Sequence, residues 1–178
     1  MKSRKNFTLA TNSVIINPKG AKKMIVLRSP NHITPEVWQH AKSSLFLAGG
    51  ITNVRNWQQD MEKLLEDTPL LVINPRRDNW DMADPNAARV QIEWENKYLH
   101  ATEAISFWFS SETLQPITLF ELGKWYNSNK PIFIGIDPDY PRRFDVEVQI
   151  GFRKRSLIRI VYKIEDLAKQ IKDWFSAY

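Results

Sequence analysis

The chain has 178 residues, 43% of them hydrophobic, with a formal net charge of +5 and no cysteine. That length suits one domain with a full core, and the missing cysteines exclude disulfides, thiolate catalysis and cysteine-ligated metals. No run approaches the roughly 20 apolar residues of a membrane span, and the basic start MKSRKNFTLATNS lacks a secretory signal's apolar core, so a cytoplasmic protein is expected.

Residues 1–42 form an extension ahead of the core, with eight Lys/Arg against a single acid, Glu36. Ser13–Asn17 (SVIIN) and Lys23–Leu27 (KMIVL) are short β-branched runs separated by Pro18-Lys19-Gly20, which predicts a hairpin or two edge strands. Thr34-Pro35-Glu36 opens a short helix, since Thr caps and Pro fits the first helical position. Basic segments of this kind bind nucleic acid or phosphorylated ligands, or are simply solvated surface. A second basic cluster, Arg142, Arg143, Arg153, Lys154 and Arg155, is open to the same two readings. The histidines His32, His40 and His100 have no metal-ligand spacing.

Residues 43–178 are expected to make the α/β domain. Ser44–Ala48 is an apolar strand followed by Gly49-Gly50 and Thr52-Asn53, the first βα turn of a doubly wound fold. Small residues there let a ligand approach the backbone, and a helix N-terminus offers free N–H groups to an anion. Trp57, Met61, Leu64 and Leu65 give the next helix one buried face. Leu70–Ile73 is the second strand, and Asn74-Pro75-Arg76-Arg77 leaves its carboxyl end. Two guanidinium forks there suit a phosphate or carboxylate, or a surface salt bridge. A third helix, roughly 86–102, carries Gln91, Glu93, Trp94 and Glu95. Glu95 lies eight residues before Glu103, about 12 Å back along a helix antiparallel to the strands, and so toward the sheet's carboxyl edge. Glu93 points elsewhere around the helix.

Ala104–Phe109 (AISFWF) and Pro131–Ile136 (PIFIGI) are nearly continuous apolar runs, as in strands covered on both faces. Between them Pro116 starts a helix carrying Ile117, Thr118, Leu119, Phe120, Leu122 and Trp125, with the carboxylate Glu121 inside it. Glu121 is either an exposed helix residue or a ligand-facing one, since ligands of open α/β sheets bind where this helix begins. The loop 137–149, with Asp145, suits a ligand contact or a capped turn into a helix. Leu157–Tyr162 is a fifth strand, and Ile164, Leu167, Ala168, Ile171 and Phe175 mark an amphipathic last helix.

Four stretches between residues 44 and about 150 resemble the nucleoside 2-deoxyribosyltransferase superfamily, in its deoxyribosyltransferase-like branch. They are the FLAGG strand-turn, the NPRR loop, the WE of the third helix, and FELG with the following Lys130-Pro131. The resemblance implies a flavodoxin-like parallel sheet of about five strands, in order 2-1-3-4-5, with helices on both faces. It also implies Glu121 as the nucleophile that takes up the sugar, and Glu95 as the acid that handles the base's proton. Phe46, Ala48, Gly49, Gly50, Asn74, Arg76, Arg77, Gln115, Thr118 and Asp145 are then expected to bind substrate. Phe46 stands where the family's well-studied members have a tyrosine, and Gln115 where they have an aspartate for the sugar hydroxyls.

The expected function is cleavage or exchange of the N-glycosidic bond of a nucleoside or nucleotide by a retaining mechanism, without metal or organic cofactor. The expected partners are that small molecule and further copies of the chain. A non-catalytic nucleotide-binding module and a nucleic-acid-associated protein are the alternatives.

Overall fold

The computed structural model describes residues 24–41, 43–77, 84–152 and 158–177. Among these residues, six strands form one all-parallel sheet: β1 (Ile25–Arg28), β2 (Ser43–Gly49), β3 (Leu70–Asn74), β4 (Ala104–Phe109), β5 (Ile132–Ile136) and β6 (Ile160–Val161). Their spatial order is β1-β3-β2-β4-β5-β6. The five strands from β2 onward therefore run in the expected 2-1-3-4-5 order. The count is six rather than five because Ile25–Arg28 pairs in parallel with β3 and extends that edge. Ser13–Asn17 lies outside the described residues.

The helices are α1 (Pro35–His40), α2 (Trp57–Leu65), α3 (Ala87–Ala101), α4 (Pro116–Tyr126), α5 (Arg143–Gly151) and α6 (Ile164–Ser176). Strand residues alternate between two cores, as the two-residue period of a strand requires. Phe46, Ala48, Ile105, Phe107 and Phe109 join Trp94, Tyr98, Leu122, Trp125, Val146 and Ile150 under α3, α4 and α5. Leu45, Leu47, Ala104 and Trp108 face Trp57, Met61, Leu65, Leu167 and Ile171 under α2 and α6. Both faces of the sheet are covered, which is why its strands are continuously apolar.

Two local features place the site. Lys130 Nζ donates to the carbonyls of Leu99, His100 and Thr102, so a cation sits on the orphan acceptors at the end of α3. That contact fixes α3 against the start of β5. Tyr140 Oη, after β5, donates to Leu114 O at 2.8 Å and braces the loop ahead of α4.

Candidate active site

The order of strands reverses between β3-β2 and β4, and a cavity of about 680 Å³ opens there at the carboxyl ends of β2 and β3, where ligands of open α/β sheets bind. Phe46, Ala48, Gly49 and Gly50 line it from β2, Pro75 and Arg77 from the loop after β3, and Gln91, Ile92 and Glu95 from α3. Thr113, Leu114, Gln115, Pro116, Ile117, Thr118 and Glu121 close it from α4 and the loop before it. Two carboxylates from two helices thus face one largely apolar space.

That setting acts on their protons. Burial, then the neighbouring Glu95 charge, pushes the Glu121 carboxyl up to about 8, against a smaller pull from Lys124. Burial also raises Glu95, but a hydrogen bond from Gln91 and the Arg77 charge work the other way. Desolvation and a like charge both disfavour the ionised form. Both carboxyls are thus held toward their protonated forms, Glu121 the more strongly, and the two titrate as a pair.

Not every expected ligand contact falls in this cavity. Glu121, Glu95, Phe46, Ala48, Gly49, Gly50, Arg77, Gln115 and Thr118 line it; Asn74, Arg76 and Asp145 do not. Asn74 Nδ2 donates to Glu62 Oε1 at 2.7 Å, and its Oδ1 accepts from the Arg76 N–H. Arg76 donates to Gln58 Oε1 at 3.0 Å and to the carbonyls of Val54 and Arg55 at 3.1 Å. Consecutive residues leaving a strand point to opposite sides, so Arg76 and Arg77 do not grip one anion together. Asp145 is exposed on α5 and accepts from Arg142 at 3.1 Å.

The glycine pair and Gln115 form a frame. A Cβ on Gly49 would lie 2.5 Å from Trp57 Cζ2 and 2.6 Å from the Trp108 carbonyl, and one on Gly50 would lie 2.9 Å from Gln115 Cδ. The space left by the small residues is thus filled by the protein itself. The Gly50 N–H donates to Gln115 Oε1 at 2.8 Å, while Gln115 Nε2 donates to Ser110 O and Oγ. Gln115 caps α4 with φ 48° and ψ 56°, a left-handed conformation that a side chain adopts only where the surroundings hold it. Its amide ties the loop after β2 to the loop after β4. The N-terminus of α2 is closed too, because Asn56 Oδ1 accepts from the Gln59 N–H.

Glu93 is exposed and paired with Arg89, on a different face from Glu95. Gln91 was overlooked as a site residue, although its place one turn before Glu95 was the available signal. Among the described residues, no group of three or more His, Cys, Asp or Glu could hold a metal ion, and no helix is long and apolar enough to cross a membrane.

The family model described as "nucleoside 2-deoxyribosyltransferase like" matches residues 42–140, which include both carboxylates and the Gln115 frame. No curated protein matches the chain. Among solved structures, a conserved protein from Enterococcus faecalis V583 is similar with a TM-score of 0.52 and 12% identity, over 74% of this chain and 98% of that one. At that identity the likeness shows the fold alone.

Proposed function

Because the chain belongs to the nucleoside 2-deoxyribosyltransferase-like family, we propose that its cavity cleaves or exchanges the N-glycosidic bond of a nucleoside by a retaining double displacement. The observation that carries this reading is the convergence of Glu95 and Glu121, both with raised carboxyls, on one apolar cavity. Two carboxyls flanking a glycosidic bond, one ionised and one protonated, are what such a reaction uses.

In the first step a Glu121 carboxylate oxygen bonds to the anomeric carbon. The C–N bond breaks, its electron pair stays on the base, and Glu95 gives the base its proton. In the second step Glu95 takes a proton from an incoming base or a water molecule. That nucleophile bonds to the anomeric carbon and Glu121 leaves as a carboxylate. Attack therefore needs Glu121 ionised and a proton on Glu95, against the burial that favours a protonated Glu121. Positive charge developing on the sugar beside Glu121 favours that ionisation.

The raised Glu121 carboxyl also supports a second reading, with roles exchanged. Arg77 and Gln91 favour an ionised Glu95 while burial keeps Glu121 neutral, which would make Glu95 the nucleophile and Glu121 the acid. Identifying the residue that carries a trapped sugar separates the two.

A neutral nucleoside fits the described residues better than its monophosphate. The Gly50 N–H, the start of α2 and the Arg76 guanidinium are all engaged within the protein. An ionised Glu95 in the cavity would also repel a phosphate. Incubation with a panel of nucleosides and nucleotides, with and without free bases, should show base release or exchange, faster from nucleosides. Binding without turnover of any member would leave a nucleotide-binding module instead. The apolar helices around the cavity mouth also favour self-association of the chain.

A further inference from the structure

Gln91 is buried, and four groups hold its amide. Its Oε1 accepts from Ser29 Oγ at 2.7 Å and from Arg77 Nε. Its Nε2 donates to Pro75 O and to Glu95 Oε1, both at 2.8 Å. Arg77 can only donate and the Pro75 carbonyl can only accept, so the amide has one possible orientation. Glu95 Oε1 consequently faces an N–H and is confined to accepting.

We propose that Gln91, locked by Ser29 and Arg77, is a positioning residue that leaves Oε2 as the one oxygen of Glu95 able to carry the transferable proton or to attack. The inference rests on the proposed glycosidic reaction only for what Oε2 then does; the locked geometry holds in either assignment of roles.

Ser29 brings the edge strand into the site. It follows β1, outside the matched segment 42–140. It is only 4% exposed, and its N–H donates to Asn74 O at 3.1 Å. The residues after it grip the same helix. Trp94 Nε1 donates to Asn31 O at 2.7 Å, and the Ile33 N–H donates to Tyr98 Oη at 3.2 Å. Trp94, Gln91, Glu95 and Tyr98 all lie on α3, so the segment after β1 fixes both the helix that carries Glu95 and the amide that orients it.

The charged groups facing Glu95 are Arg77 from the loop after β3 and Glu121 from α4. On the cavity's β2 side stand Phe46 and Ala48, which do not titrate. Removing the Gln91 N–H withdraws a donor that favours the carboxylate, so Glu95 should then hold its proton to higher pH.

The test is a carboxyl-carbon NMR titration of the full chain carrying labelled glutamate, with Glu95 assigned by loss of its signal in Glu95→Gln. Nucleoside turnover is measured beside it. Gln91→Met should move the Glu95 titration upward and shift the acid limb of kcat/KM the same way. It should also lower kcat by about tenfold to a hundredfold, a part of what a general acid supplies, with little change in KM. Ser29→Ala, which spares the helix, should move the titration in the same direction by less, and Ser29→Thr should restore it. An unmoved Glu95 titration in both Gln91→Met and Ser29→Ala overturns the proposal, even if activity or melting temperature falls. If the native protein turns over no nucleoside, the glycosidic reading fails while the titration still decides the positioning role.

Discussion

Glu121 and Glu95 carry the same carboxyl, and their surroundings act on it differently. Glu121→Gln keeps the shape but removes the attacking charge, so turnover should fall by several orders of magnitude with ligand affinity little changed. Glu95→Gln should cost about 10²–10⁴-fold, and less with bases that leave easily. The pair needs one shared proton, so kcat/KM should be bell-shaped, falling above about pH 8 as that proton is lost. Its acid limb should lie above 4.5, because burial raises Glu95 as well. Stability should follow the same groups. Glu121's folded pKa is raised to about 8 from 4.5, so between those values the folded state binds more protons than the unfolded chain. Stability present at low pH is therefore lost as pH rises toward 8. Glu121→Gln abolishes this loss, and thermal melts should find the variant more stable than the native protein at pH 8, with the gap closing near pH 4.5. A variant less stable at pH 8 would make Glu121 a structural residue.

The secondary-structure elements set where these residues stand, and two glycines, one lining the cavity and one exposed on α4, separate framing from tolerance. Gly50→Ala pushes a methyl against Gln115 and Val54. It should destabilise by about 1–3 kcal/mol and disturb the frame that aims α4, which denaturant melts and kinetics would register. Gly123 in α4 has nothing within 4 Å of an added Cβ, so Gly123→Ala should stabilise by about 0.5–1 kcal/mol and leave turnover unchanged. The buried strands and the position of Glu95 are legible in the sequence because their signals are local, whereas the residues alone leave Glu121 open between an exposed and a ligand-facing position. AISFWF and PIFIGI are too apolar for a surface, and helical rise alone carries Glu95 toward the carboxyl edge. Contacts between distant segments were not legible. Ser29 meets Gln91 across 62 residues, and Gln115 meets Gly50 across 65; neither leaves a periodic trace. Arg76 and Arg77 look like one anion grip in sequence, yet the strand's alternation sends them to different sides.

At the scale of the whole molecule, the exposed large apolar side chains of the described residues gather on one side of the sheet. Val90, Ile92, Leu114, Ile117, Phe120, Phe144, Val148 and Phe152 are exposed, and all lie on or beside α3, α4 and α5, the helices that cover one face of the sheet. Apolar surface concentrated in this way marks an interface, so light scattering at micromolar concentration should find a dimer or larger assembly, and a stable monomer would count against it. The reaction itself is tested most directly by trapping its covalent intermediate. Protein mixed with a 2-fluoro-substituted nucleoside analogue should gain the mass of one sugar, and peptide mapping should place it on Glu121. A sugar found on Glu95 would exchange the two roles, and active protein carrying it on neither carboxylate would contradict the mechanism.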